Sequence, residues 1–294
     1  MTGEGWQRRP GVSIDRPGTG MALCAVAMAV FAVQDSFTRV LVADIAPQQI
    51  MAVRLWIFAL GALAWAAWRG MLPAVLRPAR PVLQVIRASF SAFEMVTIAW
   101  ALKYLGLAEA HSLFASFPLM AAVMARFVLG ERLPRWRILA IIAGFAGALL
   151  IIRPGFGIFR PAAFIALGAA ALFAAYQVAG RLAARHDDFL TSVVQISLIG
   201  ALILTPFGLL SWKAPDASQW MMILAISGLG ILGHLLLVRA VEFAPAAALQ
   251  PFNYLLLAFA FLIGMGWFGE RPDALSVTGA LIIAASGLYS VLRR

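Results

Sequence analysis

Ten segments of about 20 continuously apolar residues run along this chain, and a segment of that length and character is what crosses a bilayer as a helix. They fall at Gly20–Val42, Pro47–Trp68, Val82–Ala101, Leu107–Leu129, Arg135–Ile152, Ala162–Ala183, Phe189–Trp212, Gln219–Val238, Pro245–Phe268 and Ala274–Leu292. A transmembrane β-strand would alternate apolar and polar residues, and these runs do not. Apolar residues make up 63% of the 294 and charged residues 12%. That charged share is about half of what a soluble domain carries, so a water-soluble enzyme and a disordered chain are both excluded. The lone Cys24 excludes an intramolecular disulfide framework and a cysteine-rich metal site.

The connections are short and hold the punctuation: Arg77-Pro78, Arg153-Pro154-Gly155, Arg160-Pro161 and Glu270-Arg271-Pro272. They leave no room for a soluble domain. The polar stretch before the first segment, with Arg8, Arg9 and Arg16, reads as a cytoplasmic tail over residues 1–18. In a chain this apolar, the net charge of +10 is an orientation signal and not a nucleic-acid signal. With ten spans and both termini in the cytoplasm, the outside carries only Arg39, Lys103, Arg153, Arg160, Lys213 and Arg271. Arg54 lies within a span, and the other sixteen basic residues fall inside. An odd number of spans would scramble this division.

The second half of the chain repeats the first. Leu129-Gly130-Glu131-Arg132 follows segment four and Phe268-Gly269-Glu270-Arg271 follows segment nine, 139 residues later. Ala101 with Ala240 and Ala121 with Ala260 keep the same offset, while Phe31-Ala32 and Arg39 recur as Phe173-Ala174 and Arg181 at an offset of 142. Five spans per repeat is an odd number, so the second copy must enter the membrane the other way up. The expectation is an all-α membrane protein of ten transmembrane helices in two inverted five-helix repeats, 19–153 and 154–294. Inverted repeats can exchange roles around a central site, which is a route to alternating access.

With its five-plus-five inverted repeat and Gly-Glu-Arg after segments four and nine, the chain resembles the drug/metabolite transporter superfamily and its EamA-type exporters. Its overall character is most similar to bacterial amino-acid and drug exporters, including the aromatic amino acid and paraquat group. The resemblance covers nearly the whole chain. It implies a basket-shaped bundle whose substrate cavity is lined by spans one, three, four, six, eight and nine.

Polar groups within the spans are the candidates for a substrate site, because a charge at the bilayer centre costs about 2.5–3.5 kcal/mol on insertion scales and tends to face a cavity or a partner. Gln34 and Asp35 sit in the first span. Asp35 is four residues from Arg39, so the two are either an ion pair near the outer interface or part of the site. Glu94 lies mid-span in a stripe with Ser91 and Thr97, facing either the cavity or an interhelical partner such as Arg54; in the cavity it would couple substrate to protons. Trp100 ends that span, and His111 opens the next. Tyr176 and Gln177 occupy the repeat positions of Gln34 and Asp35. Asn253 shares a helix face with Tyr254, and suits either a zwitterion or a helix–helix hydrogen bond. His234 reads as a packing residue.

No spacing suggests a metal, a cofactor or a catalytic residue, and no GxxxxGK[ST] is present for ATP. A phosphorylated substrate would call for several deep basic residues, and only Arg54 is deep. The sequence therefore reads as a monomeric secondary exporter, in the bacterial inner membrane, of amino acids or small amphipathic metabolites and drugs. A carrier of another small metabolite, in either direction, is the alternative. A membrane enzyme would need a polar catalytic cluster, and only His186-Asp187-Asp188 comes near. A channel would need a charged ring or filter loop.

Overall fold

The computed structural model describes residues 17–130, 134–152, 161–244 and 249–292. Among these residues every regular element is a helix. In chain order they are α1 (Pro17–Leu41), α2 (Pro47–Trp68), α3 (Leu72–Val75), α4 (Pro81–Tyr104), α5 (Leu107–Phe114), α6 (Phe117–Val128), α7 (Arg135–Ile152), α8 (Ala162–Ala183), α9 (Phe189–Leu210) and α10 (Ala217–Phe243). A 3-10 turn (Gln250–Tyr254) leads into α11 (Leu255–Gly266), and α12 (Ala274–Leu292) follows. The first Gly-Glu-Arg beyond Gly130, the Arg153 and Arg160 connections and the N-terminal arginines lie outside the described residues.

Among the described residues seven helical stretches are long and apolar enough to cross a membrane: α1, α2, α4, α5 with α6, α8, α9 and α10. Three shorter apolar stretches, Ile138–Ile151, Phe252–Gly266 and Ala274–Tyr289, lie at the other expected positions. Large apolar side chains stand exposed along the helices, among them Phe127, Leu139, Leu210 and Leu281. Water would not tolerate such a surface, and lipid requires it. The chain is a multi-pass membrane protein.

Helix ends follow local chemistry. Pro47 and Pro81 begin α2 and α4, where the missing N–H costs nothing. Asp188 caps α9 by accepting from the Thr191 N–H at 2.7 Å, and Asp216 forms a capping box with Gln219 at the start of α10. The Gln219 N–H and then the Ser218 hydroxyl hold the Asp216 carboxyl below its ordinary range. Segment four is not one continuous helix. It breaks at Ala115–Ser116, where the Ser116 N–H and hydroxyl both turn to the Leu113 carbonyl, and Pro118 restarts the chain as α6. Segment nine likewise begins as a 3-10 turn holding Pro251. Pro206 breaks nothing: α9 runs through it, and the Thr205 hydroxyl donates to the Ala201 carbonyl at 2.6 Å.

The main packing is α1 on α10, α2 on α9, α4 on α8 and α7 on α12, with α6 against α8 and α11 against α1. Gly147 and Gly279 let α7 and α12 touch backbone to backbone. A Cβ at Gly147 would lie 2.7 Å from the Gly279 carbonyl oxygen.

Candidate functional site

Where α1, α2, α4 and α5 converge, the scarce charges of the spans meet. Arg54 of α2 is 6% exposed. Its Nη2 donates to Gln34 Oε1 at 2.7 Å. Gln34 passes the link on, its Nε2 donating to Asp35 Oδ1 at 3.0 Å. Asp35 Oδ2 stands 3.2 Å from His111 Nε2 of α5. Glu94 of α4 is 8% exposed, and Arg54 is within Coulombic reach of both Asp35 and Glu94. The guanidinium also lies 5.2 Å from the ring centre of Phe58. One cation therefore lies among two carboxyl groups, and the site carries a net negative charge only when both are ionised and His111 is neutral.

His111 connects this cluster to a small cavity between segments four and nine. The cavity is lined by His111, Phe114, Phe117, Asn253, Tyr254 and Leu257 among others, and its volume of about 20 Å³ holds little more than one water. His111 Nδ1 and the Tyr254 hydroxyl are buried there without hydrogen-bond partners. Aromatic rings continue from the cavity: Phe114 to Phe173 at 5.4 Å, Phe117 to Phe173 at 4.7 Å, and Phe173 to Tyr176 at 5.7 Å. A few fixed polar groups against an aromatic wall suit a small amphipathic molecule.

Of the residues picked from the sequence, Gln34, Asp35, Glu94 and His111 come together, and Asn253 faces His111 across the cavity. Tyr176 borders the aromatic wall, and Gln177 follows it on α8, partly buried. Trp100 stacks on Tyr104 at 5.7 Å with Lys103 over its ring, at the C-terminal end of α4. The local Asp35–Arg39 pair does not form. Asp35 turns to Gln34 and His111, and Arg39 pairs with Glu270, 231 residues away. His234 packs as expected, with Nδ1 2.7 Å from the Gly230 carbonyl oxygen and its ring against Phe31. Arg54, expected only as a partner for Glu94, stands at the centre of the cluster; its hydrogen-bond partner Gln34 and its neighbour Glu94 lie 20 and 40 residues away, and no helical spacing ties the three together.

Gly230 of α10 packs against the cluster. A Cβ there would lie 2.6 Å from Arg54 Nη2 and 2.9 Å from Gln34 Oε1. Gly→Ala inside a helix ordinarily gains up to about 1 kcal/mol, whereas forcing a methyl into a packed site costs about 1–3 kcal/mol. The atoms met are side-chain tips that make room only by parting Arg54 from Gln34, so Gly230→Ala should reduce transport with little loss of thermal stability in detergent. Gly228→Ala, which would meet nothing within 4 Å, should leave transport unchanged.

The model of the EamA-like transporter family matches this chain twice, over residues 18–153 and 160–292. The pseudopaline exporter CntI of Pseudomonas aeruginosa is 27% identical over 281 residues, covering 93% of this chain and 96% of that protein. An S-adenosylmethionine uptake transporter of Rickettsia prowazekii is 23% identical over 74% of each chain. A riboflavin transporter of Vibrio cholerae is 30% identical over 64% of this chain and 63% of its own length. A solved crystal structure shares the fold with a TM-score of 0.62 at 21% identity, covering 94% of this chain and 96% of that one.

Proposed function

Because the chain belongs to the EamA-like transporter family, we propose that it is a secondary transporter of the bacterial inner membrane. In this reading it exports amino acids or small amphipathic metabolites by alternating access. Its ten spans form two inverted halves, with both termini in the cytoplasm and each shorter apolar stretch completing a span. Gln34, Asp35, Glu94, His111, Asn253, Tyr176 and Gln177 border the substrate path, with Trp100 at its edge. The reading of two halves draws support from the helix pairing. If α1 and α8 are equivalent, so are α10 and α4, and the α1–α10 and α4–α8 contacts are one contact seen twice. The α6–α8 and α1–α11 contacts correspond in the same way, while α2–α9 and α7–α12 each map onto themselves.

The observation that carries the substrate reading is the imbalance of two carboxyl groups to one guanidinium around Arg54. Two carboxylates facing one guanidinium inside a bilayer call for one more positive charge, and either a proton or the ammonium of a substrate supplies it. A site that takes one or the other, and not both, exchanges protons for substrate. The relatives comprise an uptake protein and an exporter, so the family alone does not fix direction. The long alignment with the exporter favours export. Among the alternatives, the Asp187-Asp188 cluster does structural work: Asp187 accepts from the Ala79 N–H and Gln84 Nε2, and Asp188 caps α9.

Proteoliposomes offered a panel of amino acids, with and without an imposed proton gradient, test this. Saturable flux that grows with the gradient is expected, and Glu94→Gln, which removes the excess negative charge, should weaken binding of an ammonium-bearing substrate and remove most of the gradient response. No flux for any amino acid defeats the substrate class, and a Glu94→Gln variant that still follows the gradient fully defeats the coupling.

A further inference from the structure

A wider chamber lies apart from the buried cluster, at the arginine-rich ends of α2, α4, α8 and α9. Its volume is about 560 Å³, the size that holds a small organic molecule, whereas the cavity at His111 holds about one water. Trp65, Arg69, Arg87, Gly180, Asp188 and Ser192 are among its walls.

Arg87 of α4 is the unusual group there. Its Nε and Nη1 are buried and have no hydrogen-bond partner, and it forms no ion pair among the described residues. Orphaned guanidinium nitrogens are costly and call for a partner, an ion or water among them. The acids nearby are engaged elsewhere, Asp187 with the Ala79 N–H and Gln84, and Asp188 with the Thr191 N–H. The guanidinium sits 5.2 Å from the ring centre of Tyr176, and Gly180 packs against it, since a Cβ there would come within 3.4 Å of Nε. Arg69, the chamber's other cation, is exposed and lies over Trp65.

We propose that Arg87, held against Tyr176, is the docking point for an oxyanion, the carboxylate or phosphate of a small molecule entering the chamber from the arginine-rich face. The planar fork matches that geometry, and release past Tyr176 leads toward the aromatic wall and His111. The proposal rests on the transporter reading for the role of the ligand. A phospholipid headgroup would offer the same oxyanion, so the test separates the two sources.

The full chain is placed in nanodiscs of phosphatidylcholine and treated with phenylglyoxal, and the adduct at Arg87 is followed by peptide mass spectrometry. Inorganic phosphate or glutamate should slow labelling of Arg87 at least about threefold relative to chloride at equal ionic strength, with exposed Arg69 in the same sample unaffected. Equal labelling in phosphate and chloride overturns the site. In discs containing phosphatidylglycerol, labelling should still be fast until phosphate is added. If the lipid alone already protects Arg87, the site belongs to the membrane and the docking role falls. The readout needs no transport, so its failure leaves the transporter reading standing, and an absence of amino-acid flux leaves this site standing.

Discussion

Replacing Arg54 with leucine should destabilise the protein by about 3–5 kcal/mol, the cost of removing one partner from a buried charge group. Leucine fits the apolar span and would be well tolerated almost anywhere else on α2. Here it strands Asp35 and Glu94 without their cation and takes from Gln34 the donor at Oε1. Removing the stranded charge as well, in Arg54→Leu with Glu94→Leu, should recover most of the loss, because replacing buried ionic partners together by apolar groups is often close to neutral. Arg54→Lys should fall between, keeping the charge but not the fork that reaches Gln34. Thermal or SDS-induced unfolding of the purified variants measures all three. A single Arg54→Leu variant within about 0.5 kcal/mol of the parent would show that the carboxylates need no cation there. A double variant no more stable than the single would show that Arg54 acts through packing and not through Glu94.

What the sequence made legible was set by what is local. Long apolar runs name their helices, because in lipid a backbone must satisfy itself, and the segment edges agree with the helices to within a few residues for α1, α2, α4, α8 and α9. The break at Ala115–Ser116 was partly legible, since Pro118 marks a bend but its sequence does not say whether the helix kinks or stops. Pro206 shows the ambiguity, for the same residue type leaves α9 unbroken. Charged partners were the least legible. Helical spacing suggested Asp35 with Arg39, yet each found a partner elsewhere in the fold, His111 on α5 and Glu270 in the connection after α11. An i,i+4 pair is worth only a few tenths of a kcal/mol, far less than a desolvated tertiary contact, so local spacing loses that competition. The Gly-Glu-Arg after segment nine was read only as a repeat marker. The contacts of its glutamate emerge only when the fold brings α5 beside it.

Those contacts predict a conformational effect: Glu270→Ala should open the end of the bundle where α1, α5 and α11 meet. Glu270 Oε1 accepts from the Leu107 N–H at 2.6 Å and Oε2 from the Ala108 N–H at 3.1 Å, so one carboxylate caps α5 at its positive end. The same carboxylate pairs with Arg39 of α1, whose guanidinium also lies 4.2 Å from the ring centre of Phe268. Gly106 and Gly264 supply the room, since a Cβ at Gly264 would lie 2.5 Å from Glu270 Oε2. Gly269, at φ 63, turns the chain so that Glu270 can reach back. Losing these charge-assisted bonds removes about 2 kcal/mol or more of preference for the arrangement seen here, which raises the fraction opened at this end on the order of thirtyfold. Ser112 of α5, 1% exposed, reports the change. With Cys24 replaced by serine and Ser112 by cysteine, a membrane-impermeant maleimide should label the Glu270→Ala protein at least about tenfold faster than the Glu270 parent. Glu270→Gln should lie between, because an amide oxygen still accepts from α5 but no longer attracts Arg39. Equal labelling in all three folded proteins would reduce Glu270 to a helix cap. A graded increase would make the second Gly-Glu-Arg a latch between the halves, with Arg39 as its catch.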